Sequence, residues 1–197
     1  MAEDPLKVSA RRLFLALPIH EIFHQEIDRI VDSLRYKISG IKWVRSEQVH
    51  LTLHFFGATP ADRIDSIDQA MRKIAAHSEP LVISLDRLGV FPDLRRPNIL
   101  WLGILDKTGV LLSLFKMIQT ELRGLGFEIE RRPFHPHVTL GRLKGKSGQM
   151  ESILTKSKVE LPATEKTISH FCLYQSHCLP EGARYEVLKK YVFSKKA

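Results

Sequence analysis

A four-residue pattern occurs twice in this chain, and it restricts the folds that the chain can adopt. His50-Leu51-Thr52-Leu53 and His137-Val138-Thr139-Leu140 begin 87 positions apart in a chain of 197 residues. Side chains alternate between the two faces of a β-strand, so each histidine shares a face with its threonine. The pattern therefore predicts two strands, each with an imidazole and a hydroxyl on one face and apolar side chains on the other.

The repeat also predicts a site. Two such strands facing each other would bring together two histidines and two hydroxyls, a set suited to metal-free phosphoryl transfer with one general acid and one general base. A single His-x-Thr on an apolar strand is common by chance, and alone it would indicate only a structural role. Two copies in two half-chains, each followed by a glycine (Gly57 and Gly141), favour the functional interpretation.

Longer blocks around the repeats resemble a known family. The blocks are residues 12–17, Trp43 with residues 50–57, Phe91 with residues 96–101, residues 133–142, and residues 182–185. In this order they are similar to the two-histidine phosphoesterase superfamily and, within it, to the RNA 2′,3′-cyclic phosphodiesterases, once called 2′-5′ RNA ligases. The likeness covers nearly the whole chain.

The resemblance implies one domain with two pseudo-symmetric lobes, each an antiparallel sheet backed by helices, around a central cleft. The periodicities agree with this class, because helical and strand-like segments mix without a βαβ repeat, which favours α+β. The rough halves of the domain are residues 1–100 and 101–197, and no Gly-, Pro- or Ser-rich linker separates them.

The resemblance also implies the chemistry. His50 is expected to donate a proton and His137 to accept one, while the hydroxyls of Thr52 and Thr139 hold the non-bridging phosphate oxygens. The implied substrate is RNA or a nucleotide ending in a 2′,3′-cyclic phosphate, and the product is a 2′-phosphomonoester. Ligation of 2′-5′ linkages would be the reverse reaction.

Two further residues are candidates for this site. Arg142 could bind phosphate, although strict alternation along the strand turns it away from His137. His54 shares strand parity with His50, so it could touch substrate or alter the protonation of the pair.

The composition favours an anionic partner. The formal net charge is +8, which suits RNA or nucleotides and equally serves solubility. No apolar run approaches the about 20 residues of a membrane helix. Arg11 and Arg12 resemble an export signal. The apolar stretch after them is short, however, because Pro18 interrupts it and His20 ends it, so a buried first strand is the better interpretation.

Neither the cysteines nor the histidines indicate a metal or cofactor. Cys172 and Cys178 form neither a disulfide framework nor a zinc signature, which fits a reducing cytoplasm. His135 and His137 could share a strand face around a metal, but no acidic or cysteine partner stands at zinc spacing. We therefore expect a cytoplasmic monomer without metal or cofactor. Two rival functions are an RNA- or nucleotide-binding module without turnover and an esterase for small cyclic nucleotides.

The same periodicities predict the other elements. A helix is expected to start at Thr59 as cap with Pro60 in its first turn, and another helix to follow the basic turn at residues 145–148 and end near Lys156. The remaining expected elements are strands at 13–17, 81–85 and 99–104, helices at 20–36 and from 111 to about 125, and strands near 164–174 and 183–193.

Overall fold

A computed structural model describes residues 10–143, 159, 161–162, 164–180 and 182–194. Within these ranges the chain forms three α-helices, two short 3-10 turns (Ser46–Gln48 and Ala61–Arg63) and nine strands. The helices are α1 (His20–Arg35), α2 (Ile64–Ala76) and α3 (Val110–Gly124). The strands are β1 (Arg11–Leu17), β2 (Ile41–Trp43), β3 (Leu51–Thr59), β4 (Leu81–Phe91), β5 (Ile99–Leu105), β6 (His137–Leu143), β7 (Lys166–Ile168), β8 (His170–Leu179) and β9 (Gly182–Val192).

The strands build two antiparallel sheets. One sheet has the order β3-β1-β8-β9 and the other has the order β2-β6-β5-β4-β7. The expected α+β class with two antiparallel sheets is confirmed. β3 and β6, which carry the two repeats, belong to different sheets and contact each other, so the sheets meet along these two strands.

The two sheets do not correspond to the two halves of the sequence. The four-stranded sheet takes β1 and β3 from the first half and β8 and β9 from the second, and the five-stranded sheet also draws on both halves. The rough division of the chain near residue 100 therefore does not separate the strands of one sheet from those of the other. The chain crosses repeatedly between the sheets, and neither sheet can be completed by one half alone.

One continuous apolar core holds both sheets and all three helices together. α1 buries the stripe that its helical spacing predicts: Phe23, Ile27, Ile30, Val31 and Leu34. α2 packs against α3 and β9, and α3 also contacts β3. Burial of these apolar stripes supplies most of the stability of helices of this length.

Two predicted boundaries differ in the structure. Thr59 is the last residue of β3 and its hydroxyl donates to the Gly57 carbonyl, so it does not cap a helix. Pro60 has an extended backbone, and a 3-10 turn precedes the start of α2 at Ile64. β4 extends to Phe91, beyond the end that the sequence predicted for this strand. The sequence did not reveal this extension because an irregularity between Leu85 and Leu88 interrupts the alternation of side chains. The helix expected near Lys156 lies outside the described residues.

No helix among the described residues is long and apolar enough to cross a membrane.

Gly89 makes room for a tryptophan of the neighbouring strand. Gly89 of β4 lies opposite Trp101 of β5, and a Cβ atom at Gly89 would overlap the indole ring. The indole also packs beside Phe91, with ring centroids 5.2 Å apart. The absence of a side chain at Gly89 therefore leaves the space that the Trp101 indole occupies.

We expect Gly89→Ala to lower the free energy of unfolding by about 1–3 kcal/mol, because the added methyl group overpacks the contact with Trp101. Gly124→Ala is the matched control, since a Cβ atom there meets no atom within 4 Å and alanine favours the helix. Urea denaturation followed by circular dichroism measures both variants. Equal stability of the two would contradict the role given to Gly89.

Candidate active site

An open cavity of about 840 Å³ lies where the two sheets meet. Its walls include both repeated motifs, and we call it the cleft. The structure brings four residues that the sequence singled out into this one cleft: His50 and Thr52 from β3 and its approach, and His137 and Thr139 from β6.

Backbone carbonyls hold both cleft histidines. Nδ1 of His50 lies 2.6 Å from the carbonyl oxygen of Gln48, and Nδ1 of His137 lies 2.6 Å from that of His135. A carbonyl oxygen can only accept, so Nδ1 carries the proton in both rings. Nε2 is therefore the nitrogen of each ring that can exchange a proton with a bound molecule. The sequence offered no signal for this role of residues 48 and 135, because backbone atoms supply it.

Aromatic rings pack around the two half-buried imidazoles. The His50 ring lies 4.9 Å from Phe14 and 5.2 Å from Tyr185, measured between centroids. The His137 ring lies 5.0 Å from Phe91 in an edge-to-face arrangement. These contacts and the Nδ1 hydrogen bonds together restrict rotation of both rings.

The surroundings lower the pKa of both histidines. Burial lowers the pKa of His50, the hydrogen bond to the Gln48 carbonyl opposes this, and charge on His137 lowers it further. Burial likewise lowers the pKa of His137, against its hydrogen bond to the His135 carbonyl, and charge on the His135 ring adds to the lowering. Because a charge on one cleft histidine disfavours a charge on the other, the pair holds one proton more readily than two.

A bulge in β6 turns Arg142 into the cleft. The pairing of β6 with β5 skips Leu140, because Thr139 and Gly141 lie opposite successive residues of β5. Leu140 and Gly141 are both buried, and Arg142 therefore returns to the face of His137 and lines the cleft. The expectation from strict alternation that Arg142 points away was wrong.

A bulge at the equivalent place in β3 turns His54 out of the cleft. The pairing of β3 with β1 skips Leu53, because Thr52 and His54 lie opposite successive residues of β1. His54 is buried, and Phe55 lines the cleft in the place that parity assigned to His54. The expectation that His54 shares a face with His50 was therefore wrong, and the sequence analysis missed Phe55.

Gln119 of α3 holds the bulge of β3. Its amide nitrogen lies 3.3 Å from the carbonyl oxygen of Leu53 and 3.4 Å from Nδ1 of His54, and its amide oxygen accepts from the backbone N–H of Glu130. Burial lowers the pKa of His54 to about 4, against the hydrogen bond to Gln119 and the charge of Glu130. His54 is thus neutral near pH 7 and belongs to the support of the strand.

Five cations line the cleft, and the described residues that line it include no acidic side chain. They are Arg12, Lys42, Arg45, Arg142 and Arg184. Burial raises the pKa of Tyr185, whereas charges on Arg142 and Arg12 lower it, so both guanidinium groups act on the same hydroxyl. A concave surface lined by one sign of charge attracts ligands of the opposite sign.

No group of three or more His, Cys, Asp or Glu side chains that could hold a metal ion occurs in the described part of the chain. His135 is exposed and does not line the cleft. Metal-independent chemistry stays a prediction that an assay must test.

Comparison with characterised sequences identifies the family. The family model described as LigT like Phosphoesterase matches residues 17–101 and 104–185. A curated RNA 2′,3′-cyclic phosphodiesterase of Methanocaldococcus jannaschii is 32% identical over 182 residues, which cover 91% of this chain and 99% of that protein. A Thermotoga maritima protein of the same name is 28% identical over 177 residues, which cover 90% of this chain and 92% of that protein.

Solved structures share the fold. The crystal structure of the Thermus thermophilus protein TT0787 matches with a TM-score of 0.79 at 23% identity and covers 94% of this chain and 100% of that one. E. coli LigT complexed with 3′-AMP matches with a TM-score of 0.74 at 23% identity and covers 94% of this chain and 99% of that one. Since the family model spans most of the chain, the protein belongs to the LigT-like phosphoesterase family, as its paired His-x-Thr motifs indicate.

Proposed function

We propose that this protein is an RNA 2′,3′-cyclic phosphodiesterase that opens a 2′,3′-cyclic phosphate to a 2′-phosphomonoester without a metal. One observation carries the proposal: imidazoles from two sheets line one cleft, and each has Nδ1 bonded to a backbone carbonyl, which leaves Nε2 for proton transfer. The name shared by relatives that align over nearly the whole chain supports the same reaction.

Hydrolysis of a cyclic diester needs two proton transfers on opposite sides of the phosphorus. Neutral His137 would take a proton from the attacking water at Nε2 while the new P–O bond forms. Charged His50 would donate its Nε2 proton to the departing 3′ oxygen as the old P–O bond breaks. The family pattern supplies this assignment of donor and acceptor. Both rings return to their starting states by proton exchange with solvent.

Three other cleft residues would bind the phosphate. The hydroxyls of Thr52 and Thr139 share the faces of the two histidines, so they can donate to the non-bridging oxygens. Arg142 reaches the same face past the bulge of β6 and would balance charge on these oxygens. With the 5′ hydroxyl of a second RNA in place of water, the same two proton transfers would form a 2′-5′ phosphodiester and release the 3′ hydroxyl. This step, the reverse of cleavage of a 2′-5′ linkage, is the proposed route to 2′-5′ ligation.

We expect His50→Ala and His137→Ala each to reduce turnover of adenosine 2′,3′-cyclic phosphate by at least about 10²-fold, because each removes one proton-transfer group. Circular dichroism checks that both variants fold. His135→Ala is the matched control, since it keeps the backbone carbonyl that holds His137 and removes only an exposed ring. Its turnover should stay close to wild type.

Three results would contradict this mechanism. Near wild-type turnover in either cleft variant would exclude two-histidine catalysis. A metal site would instead be indicated if chelation abolished activity, zinc or manganese restored it, and His135→Ala was inactive. Binding of the cyclic nucleotide without any turnover by the wild-type protein would favour the binding module.

The pH profile of kcat/KM should be bell-shaped with its maximum on the acid side of neutrality. The rate rises as the base loses its proton and falls as the acid loses its proton, so each limb follows a pKa of the coupled pair. Both pKa values are lowered, which moves both limbs below the about 6.5 of a free imidazole. Initial rates at limiting substrate across this range provide the test, and a maximum in alkaline solution would contradict it.

Opposed histidines should release a single product. Only the ring oxygen opposite the attacking water receives a proton, and the family pattern implies that this is the 3′ oxygen. Digestion of adenosine 2′,3′-cyclic phosphate and chromatography against both monophosphates should show the 2′-phosphate alone. A mixture would contradict the opposed geometry, whereas pure 3′-phosphate would reverse only the orientation assigned to the ribose.

A further inference from the structure

The side chain of Gln48 joins the two edges of the four-stranded sheet. β3 and β9 are the edge strands of this sheet, and three strand spacings of about 4.8 Å would separate them if the sheet were flat. The amide nitrogen of Gln48, just before β3, nevertheless lies 2.6 Å from the carbonyl oxygen of Ala183 in β9. A carbonyl oxygen can only accept, so the amide N–H of Gln48 donates. Both residues line the cleft, and we call this hydrogen bond the clasp.

The clasp and the hydrogen bond of His50 meet at one residue. The carbonyl oxygen of Gln48 accepts from Nδ1 of His50 at 2.6 Å, while the Gln48 side chain donates to β9. The same short turn is also held by α1, because the backbone N–H of His20 donates to the Val49 carbonyl oxygen at 3.2 Å. The carbonyl group that sets the tautomer of His50 is thus fixed from two directions, by α1 and by β9.

The clasp lies beside the aromatic contacts of His50. Tyr185 follows Ala183 closely in β9, and its ring meets His50 edge-on, with centroids 5.2 Å apart and planes at 89°. Phe14 packs against both rings, at 4.9 Å from His50 and 5.0 Å from Tyr185. A hydrogen bond that holds β9 against the approach of β3 therefore also holds these rings together.

In the described part of the chain, His137 has no counterpart of the clasp. The residue at the equivalent place is His135, whose carbonyl oxygen accepts from Nδ1 of His137. The side chain of His135, however, is exposed and lies outside the cleft. The clasp therefore acts on one histidine of the pair, the one to which the proton donation is assigned.

We propose that the side chain of Gln48 is a positioning group for the proton donor. By holding the approach of β3 against β9, it keeps the Nδ1 proton of His50 on the Gln48 carbonyl oxygen and leaves Nε2 for the departing oxygen. The effect on the rate rests on the function proposed above, whereas the effect on the His50 ring does not. Because Gln48 acts through His50, its loss should lower kcat and leave KM unchanged.

Gln48→Met tests the clasp, since methionine has nearly the same length and no donor. The kcat for adenosine 2′,3′-cyclic phosphate should fall about tenfold, as the loss of one hydrogen bond that orients a reacting group allows, at an unchanged KM. Gln25→Met makes the same substitution at an exposed position of α1 outside the cleft, and both constants should keep their wild-type values. Circular dichroism checks that both variants fold.

The ¹⁵N NMR spectra of the histidine rings provide a readout that does not depend on turnover. At about pH 8 both cleft rings are neutral, because their pKa values lie below the about 6.5 of a free imidazole, and each should carry its proton on Nδ1. In Gln48→Met, part of the His50 population should carry the proton on Nε2 instead. His137 should keep its wild-type resonances and serves as a control in the same sample. Spectra of His50→Ala and His137→Ala assign the two rings.

Three outcomes would overturn the positioning role. A wild-type kcat in Gln48→Met would show that the clasp does not affect proton transfer. A raised KM at unchanged kcat would instead place the Gln48 amide on the substrate. Equal changes in the resonances of His50 and His137 would indicate a general loosening of the cleft. If the wild-type protein turned over no cyclic phosphate, the proposed function would fail, while the NMR spectra would still decide whether the clasp orients His50.

Discussion

Each cleft histidine donates its Nδ1 proton to the backbone carbonyl two residues before it, at 2.6 Å in both cases. These two hydrogen bonds set the tautomer of both rings, so that Nε2 of each ring is the nitrogen that can exchange a proton in the cleft. They depend on the chain path into β3 and β6 rather than on another side chain. The side chain of Gln48 reinforces this path by donating to the Ala183 carbonyl, which ties the approach of β3 to β9.

The two bulges decide which side chains beyond the motifs line the cleft. Both strands leave regular alternation just after the threonine of the motif. Beyond that point, the residues that face the cleft are those that regular alternation would turn away from it. Phe55 and Arg142 enter it at equivalent positions, so the two sheets contribute an aromatic ring on one side and a cation on the other. Gln119 satisfies the Leu53 carbonyl at one bulge and also binds the Glu130 amide on the way to the other motif. One buried amide thereby links the bulge of β3 to the segment that leads into β6.

Burial and a neighbouring imidazole lower the pKa of each cleft histidine, and a bound phosphate would reverse this effect. Burial lowers the pKa of both rings, and a low-dielectric environment beside other positive charges disfavours a charged imidazole. An anionic phosphate placed between the rings would favour the charged form of the donor again. Substrate binding would therefore supply part of the protonation that the reaction needs, and the cations that attract the substrate would be balanced at the same time.

Local pattern was enough to predict the strand faces of His50, Thr52, His137 and Thr139, because alternation over three residues does not depend on a neighbouring strand. Helical spacing likewise located α1, and the motifs identified the family. Arg142 and His54 were misplaced because a bulge is a mismatch in register between two strands, and sequence periodicity along one strand cannot reveal it. Pairing between distant segments also decides which sheet each strand joins, and it places Thr59 at the end of β3 and not at the start of a helix. The sequence by itself thus determined the two pairs of imidazole and hydroxyl, because alternation within one strand sets them. The tertiary structure decided which side chains surround these pairs, because the bulges depend on pairing between strands.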